Sequence, residues 1–389
     1  MSPGINRVFP ALSAFASVRS EKYEHRHKAF RLFSNIQQQL SDAVTREKIA
    51  FIEEEVSGPI KIVADAPLEW LPVGPLPLLI RHQCSRLNAT PANLLVGLLA
   101  QREVITVSPE TLREVLVVSA FAPTDRLRNV LEVALESLRP RSEGKVKITF
   151  RRVVSVVELI ETLNKFEGAI LIFDGHGMID NRDGIGKLLV GKDQVDVWNL
   201  RGKVRVPPIV ILSACDTHGV DSPLHATVGN GFLILGAITV VASLLPLGGA
   251  SSAMFVARLV YRLADFIPSV LSAKKRVLNW TEIVSGMQRM FLASEVLNAL
   301  VGTPDIEGSP RQTMQLQANM DINTGEGAWF ENLLAGIAEY RTEEYDVVAK
   351  RVSRVIALSE TIRYIQLGHP ESVLVDDGSI RGQFVPSNL

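Results

Sequence analysis

Three short apolar runs constrain this chain more than any other feature. Residues 169–174 read AILIFD, 209–214 read IVILSA and 237–243 read AITVVAS. Each is nearly continuous in apolar residues and does not alternate, which is the pattern of a strand buried on both faces. Further strands are expected at 60–65, 115–121 and 145–150. Amphipathic helices are expected between and around them. In 125–139, Leu127, Val130, Leu131, Ala134, Leu135 and Leu138 follow helical spacing, and 156–166 and 249–266 read the same way. Strands alternating with helices give an α/β fold, with a mainly parallel sheet covered by helices on both faces.

Outside this core the character changes. Residues 1–57 read as a helical N-terminal segment. Residues 58–268 form the α/β domain. Residues 269–389 read as a helical C-terminal extension, with helices near 281–300, 328–340 and 342–366. Within it, the polar Gly- and Pro-containing stretch 302–327 reads as a flexible loop, because its composition offers few apolar anchors. No charged residue occurs between His225 and Arg258. Asn230, Gly231, Gly236, Pro246, Gly248 and Gly249 interrupt that stretch, so it reads as buried helix, strand and helix, not as a membrane span.

Charge and cysteine usage narrow the function classes. Lys plus Arg number 41 and Asp plus Glu 42, a net charge of -1. That balance argues against a chain that binds nucleic acid directly. Two cysteines, Cys84 and Cys215, exclude a disulfide scaffold and an all-cysteine zinc site. Free thiols in a reducing cytosol are expected. The N-terminus has no uninterrupted apolar core behind a basic start, so no signal peptide is read. The expected location is cytoplasmic, with no membrane contact.

In an open parallel sheet, chemistry sits beyond the carboxyl ends of the strands. The run at 169–174 leads into Gly175-His176-Gly177, and the run at 209–214 leads into Cys215-Asp216-Thr217. If the two strands are neighbours, His176 and Cys215 meet over the sheet edge. A thiol attacks a carbonyl as thiolate, and an adjacent imidazole serves it as base. The backbone amides of Gly177 and Cys215 can face the developing oxyanion. A lone strand-end cysteine is more often a small core residue, and a lone histidine is usually structural. Their joint occurrence, with glycines around the histidine, favours a site. Asp174, Ser213 and Asp65 are candidate substrate-binding residues. Asp216 and Thr217 read as loop-fixing residues, and His218 and His225 as ordinary loop residues. Cys84 reads as structural.

GAILIFDGHG, then PPIVILSACDT, then GNGFLILGAITVVASLLP, with VADAPLEWLPVGPL upstream, resembles the CHAT domain, a family of caspase-like cysteine peptidases. The resemblance covers about 59 to 268. It implies the caspase–hemoglobinase fold and a cysteine endopeptidase. His176 would be the acid/base and Cys215 the nucleophile, with an oxyanion hole from the amides of Gly177 and Cys215. In metacaspase-like relatives the position of Ser213 holds an acid that reads a basic P1 side chain. A neutral residue there does not imply preference for Arg or Lys. The resemblance implies no metal or organic cofactor. It implies a protein substrate, and leaves room for an activating or inhibitory protein partner in a bacterial signalling or antiviral defence system. A catalytically idle CHAT-like scaffold or interaction module is the alternative, and a cysteine-dependent acyltransferase a third reading.

Overall fold

All five residues of 170–174, of 209–213 and of 239–243 are buried, as strands covered on both faces must be. The computed structural model describes residues 3–18, 23–100, 103–142, 144–180, 184–214, 217–219, 226–274, 276–302 and 308–378. In chain order, its principal strands are β1 (Ile60–Val63), β2 (Cys84–Leu87), β3 (Glu114–Ser119), β4 (Lys147–Arg152), β5 (Ile170–Asp174), β6 (His176–Ile179), β7 (Gly186–Val190), β8 (Asp193–Asp196), β9 (Ile209–Ser213), β10 (Thr239–Ser243) and β11 (Tyr364–Gly368).

Among the described residues, eight of these strands form one sheet in the order β1-β2-β11-β10-β9-β5-β3-β4. From β10 to β4 every neighbouring pair is parallel. β11 runs antiparallel to β10 and parallel to β2. The sheet is therefore mainly parallel, and helices flank it. Two of these, Val130–Ser142 and Gly249–Lys274, pack against each other. Strands β6, β7 and β8 make a separate three-stranded antiparallel sheet.

The chain divides into two compact units. One comprises Met1–Gly58, Ala66–Gln83 and Val284–Arg363, and the other comprises Pro59–Asp65, Cys84–Ile283 and Tyr364–Leu389. The first is helical. Phe15, Phe33 and Trp70 meet there edge to face or tilted at 5.5–5.9 Å. The Trp70 indole N–H donates to the Ile362 carbonyl at 2.7 Å. The second unit holds the large sheet.

These units differ from the expected boundaries at 58 and 268. The helix entered at Gly249 runs through Pro268 to Lys274. Val270 and Leu271 beyond the proline are buried, and that burial offsets a cost of about 3 kcal/mol for a proline inside a helix. The helix expected over 342–366 ends at Leu358. Tyr364–Gly368 forms β11 inside the large sheet, and Tyr364 stacks on Phe255 with ring centroids 4.0 Å apart. The loop expected over 302–327 is in large part a helix, Pro310–Thr324. Ser309 caps it by accepting from the Gln312 amide, Pro310 occupies its first turn, and Gly325 ends it in the left-handed region. These are ordinary start and stop signals, and in that stretch they outweigh a polar composition. Residues 303–307 of that expectation lie outside the described residues. Among the described residues, no helix is long and apolar enough to cross a membrane.

Candidate active site

Register sets the site. Ser119 at the end of β3, Asp174 at the end of β5 and Ser213 at the end of β9 stand side by side across three adjacent parallel strands. The chain leaves all three strands on the same edge, where side chains from distant segments converge.

The turn from β5 into β6 is tight. A Cβ at Gly175 would stand 2.9 Å from the Phe173 ring and 3.4 Å from Ala120, so this position takes glycine. The Gly175 amide donates to the Ser213 carbonyl at 3.3 Å, which ties the turn to β9. His176 follows as the first residue of β6 and pairs across to Leu189. Leu188 and Val190 are buried, and Lys187 Nζ donates to Asp180 Oδ2 at 2.6 Å. The hairpin that carries His176 is thus anchored by apolar burial and an ion pair.

His176 Nε2 lies 2.7 Å from Asp125 Oδ2. A carboxylate only accepts, so Nε2 carries the hydrogen and donates it. Phe121 meets the imidazole edge to face at 4.9 Å. Asp125 sits in the loop after β3, and its other oxygen accepts the Leu127 amide at 2.8 Å. Burial pulls the Asp125 carboxyl upward, but the Leu127 amide and His176 together hold it below the ordinary carboxylate value. Sequence reasoning missed Asp125 and placed it at the start of a helix over 125–139. That helix begins at Val130, because the Asp125 carboxylate closes a side-chain turn onto Leu127 instead. The available signal was a polar loop residue just past the end of another buried strand.

Asp174 and Ser213 line one small cavity of about 30 Å³ together with His176, Gly175 and Ala214. Ser213 hydrogen-bonds the Asp174 carboxylate, and its hydroxyl lies 3.2 Å from that of Ser252. Asp174 is 4% exposed. Burial pushes its carboxyl up to about 7, against the smaller opposing effect of Ser213.

The structure does not bring Asp65 into this group. Its carboxylate accepts from the Thr90 amide at 3.0 Å and the Thr90 hydroxyl at 2.9 Å, and it is absent from the cavity wall. This acid serves the start of the helix Ala92–Ala100. Gly177 lies on β6 opposite Leu188.

Cys215 and Asp216 lie outside the described residues, as does His225. The residues on either side of Cys215-Asp216 are firmly held. The Ser243 hydroxyl donates to the Ala214 carbonyl at 3.2 Å, and the Ser243 amide donates to Thr217 Oγ1 at 3.0 Å. The Thr217 carbonyl accepts the Gly229 amide at 2.9 Å. Buried His218 bonds the Thr227 hydroxyl through Nδ1 at 3.0 Å, which suits a loop-holding residue. Cys84 is buried on β2, far along the sheet from β9.

Compared with known families, residues 37–276 match the CHAT domain, more than half of the chain. No curated protein matches in sequence. Among solved structures, the chain is similar to the Arg specific cysteine proteinase gingipain R at 11% identity. The match covers 87% of this chain and 70% of that one, with a TM-score of 0.40. It is also similar to the complex of Porphyromonas gingivalis RgpB pro- and mature domains at 11% identity, over 91% of this chain and 78% of that one, with a TM-score of 0.38. Likenesses this distant say nothing of activity.

Proposed function

The chain belongs to the CHAT domain family, matched over residues 37–276, and from that premise we propose that it is a caspase-like cysteine endopeptidase with His176 and Cys215 as its dyad. The observation that carries this reading is the His176–Asp125 pair at the end of β5, beside the strand whose next residues are Ala214 and Cys215. A general base at that edge gains from a carboxylate, because the partner selects its tautomer.

With Nε2–H engaged by Asp125, Nδ1 is the nitrogen left to take the thiol proton. The Cys215 thiolate then attacks the scissile carbonyl. The amides of Gly177 and Cys215 receive the oxyanion. His176 returns the proton to the leaving amine as the C–N bond breaks, and a thioester remains. Water, deprotonated by the same imidazole, hydrolyses the thioester and releases the free carboxylate and thiol. Asp125 touches no substrate in this scheme and is a positioning residue. The resemblance alone supports a protein substrate, a regulating partner and a place in a bacterial signalling or defence system.

The test is cleavage of a protein or peptide library by the purified chain, with and without extract from a candidate host. Cys215→Ala and His176→Ala should each abolish cleavage while the circular dichroism spectrum stays native. Undiminished peptidase activity in Cys215→Ala would remove the mechanism. Loss of in vivo function only when the surface is altered, and never in Cys215→Ala, would favour the idle scaffold.

A further inference from the structure

The large sheet ends on an open strand. β4 pairs with β3 and, among the described residues, with no other strand. The pairing is parallel and unbroken, Glu114–Ser119 against Lys147–Arg152. The amides of Lys147 and Val153 donate inward, to the Arg113 and Ser119 carbonyls, at 3.0 Å each. Backbone groups alternate in direction along a strand, so the N–H and C=O of Ile148, Phe150 and Arg152 point away from the sheet. A bare edge templates further pairing, and proline, a bulge or a covering element would blunt it. β4 has no proline and no bulge. Ile148, Thr149 and Phe150 at its centre suit a strand.

A groove lies on each face of this edge, and the pleat sends alternate side chains to opposite faces. Ile148 and Phe150 line one groove, of about 380 Å³, with Leu135 and Val146. Thr149 and Arg151 line the other, of about 370 Å³, with Thr162 and Lys165. A strand added at this edge sends its own alternate side chains into the same two grooves. The first offers apolar surface, and its acids are taken: Glu132 pairs with Arg152, and Glu136 with Arg139 at 3.2 Å. The second offers a cation. Its acids are engaged too, Glu158 by the Val154 amide at 2.8 Å and Glu161 by Lys165 at 3.6 Å. Arg151 has no carboxylate partner among the described residues. Its guanidinium donates to the Phe150 carbonyl at 3.2 Å, one of the outward-facing groups, which places the charge at the open edge.

We propose that β4 takes up an extended segment of a partner protein as a further strand of the sheet, a segment in which acidic and apolar residues alternate. Its backbone pairs with the outward groups of Ile148, Phe150 and Arg152. Its carboxylates face Arg151, and its apolar side chains face Ile148 and Phe150. Charge selects this occupant over a second copy of the chain. Residues 145–152 read KVKITFRR, four cations and no acid, so β4 laid against β4 sets like charges across the new pair. Basic residues on an edge repel a like strand, and the same residues attract an acidic one.

The test is fluorescence anisotropy on full-length Cys215→Ala, so that no probe is consumed, and its outcome stands whether or not the chain is a peptidase. The probe is a labelled peptide that alternates glutamate and valine over the length of β4. It is compared with a peptide that has glutamine for glutamate, and with two that are N-methylated on one or the other set of alternate amides. The expected result is saturable binding of the glutamate peptide, at least about tenfold tighter than the glutamine peptide, as the loss of a charge-assisted bond implies. N-methylation of the set that faces β4 should abolish binding, and N-methylation of the other set should not. Arg151 is exposed, so Arg151→Gln leaves the fold intact and should remove the preference for glutamate. No saturable binding, equal affinity for the glutamate and glutamine peptides, or binding that survives both N-methylations overturns the proposal, and none of these needs a variant of the strand. Phe150→Pro removes an outward N–H and no bond to β3. A dimer in sedimentation velocity that separates in Phe150→Pro assigns the edge to a second copy and overturns the choice of partner.

Discussion

Replacing Asp125 by asparagine should damage the site more than removing the side chain. Asp125 offers one oxygen to the Leu127 amide at 2.8 Å and the other to His176 at 2.7 Å. In Asp125→Asn the Leu127 amide keeps the carbonyl oxygen on its own side, so the NH2 group turns toward His176. That group donates to Nε2 and drives the ring hydrogen onto Nδ1, the nitrogen assigned to take the thiol proton. The charge-assisted bond, worth about 1.5–3 kcal/mol, is lost as well. The pair is partly open to water, with side-chain exposures of 39% for His176 and 22% for Asp125, so the lower part of that range applies. A fall in kcat/KM of roughly 10- to 30-fold follows from the bond alone. The wrong tautomer adds to it. In Asp125→Ala no donor opposes Nε2–H and water can solvate it, so His176 loses only the bond and keeps its tautomer, while the Leu127 amide turns to water. The expected order of kcat/KM is wild type, then Ala, then Asn. The assay is peptide cleavage under saturating and subsaturating substrate, with 15N chemical shifts of the His176 ring reporting the tautomer. Both variants within twofold of wild type would refute the positioning role. Ala falling below Asn would show that Asp125 acts by packing and turn closure instead.

Further outcomes follow from other residues. Asp174 has an ordinary value of 3.8 and is pushed up to about 7 in the fold. An acid raised on folding binds its proton more tightly in the native state, so stability is lost as pH climbs from about 3.8 to about 7. The loss is on the order of 4 kcal/mol when complete. Asp174→Asn should therefore raise Tm at pH 8 and lose that advantage by pH 4; a gain that does not vary with pH would contradict this. Cys84 is buried on β2 and nearby Arg86 is committed to the Ala64 and Asp65 carbonyls. It should resist alkylation until the chain is denatured, as read by mass spectrometry of each cysteine; rapid native labelling of Cys84 would show that β2 opens. Tyr364→Ala deletes a side chain 1% exposed that stacks on Phe255, at a cost of about 3–5 kcal/mol. Denaturant midpoints should fall accordingly, whereas a change under 1 kcal/mol would mean that β11 is dispensable to the sheet.

Local rules sufficed for part of this molecule. A run such as AILIFD, short, rich in β-branched and aromatic residues and apolar on both faces when extended, is the local signature of a strand covered on both sides. The amphipathic spacing of 156–166 likewise demands a helix, and Val156–Lys165 is one. From these alone followed the α/β class and the placing of His176 just beyond a strand end, with Cys215 expected beyond another. The start and stop signals of Pro310–Thr324 were also local, and composition masked them. Other features depend on which segments become neighbours, and that is a property of the whole packed sheet. Nothing in APTDRL marks Asp125 as the partner of a histidine 51 residues later; the pairing arises because β3 is laid beside β5. Asp174 and Ser213 share a cavity because the parallel register sets them side by side, while Asp65, just as acidic, ends on Thr90. Tyr364–Gly368 follows a helix and has five buried residues. It becomes a strand because β10 and β2 leave backbone donors and acceptors that only another strand can satisfy. Periodicity and burial are encoded within a few residues and can be read from the chain. Electrostatic partners and edge pairing are long-range, and tertiary packing decides them.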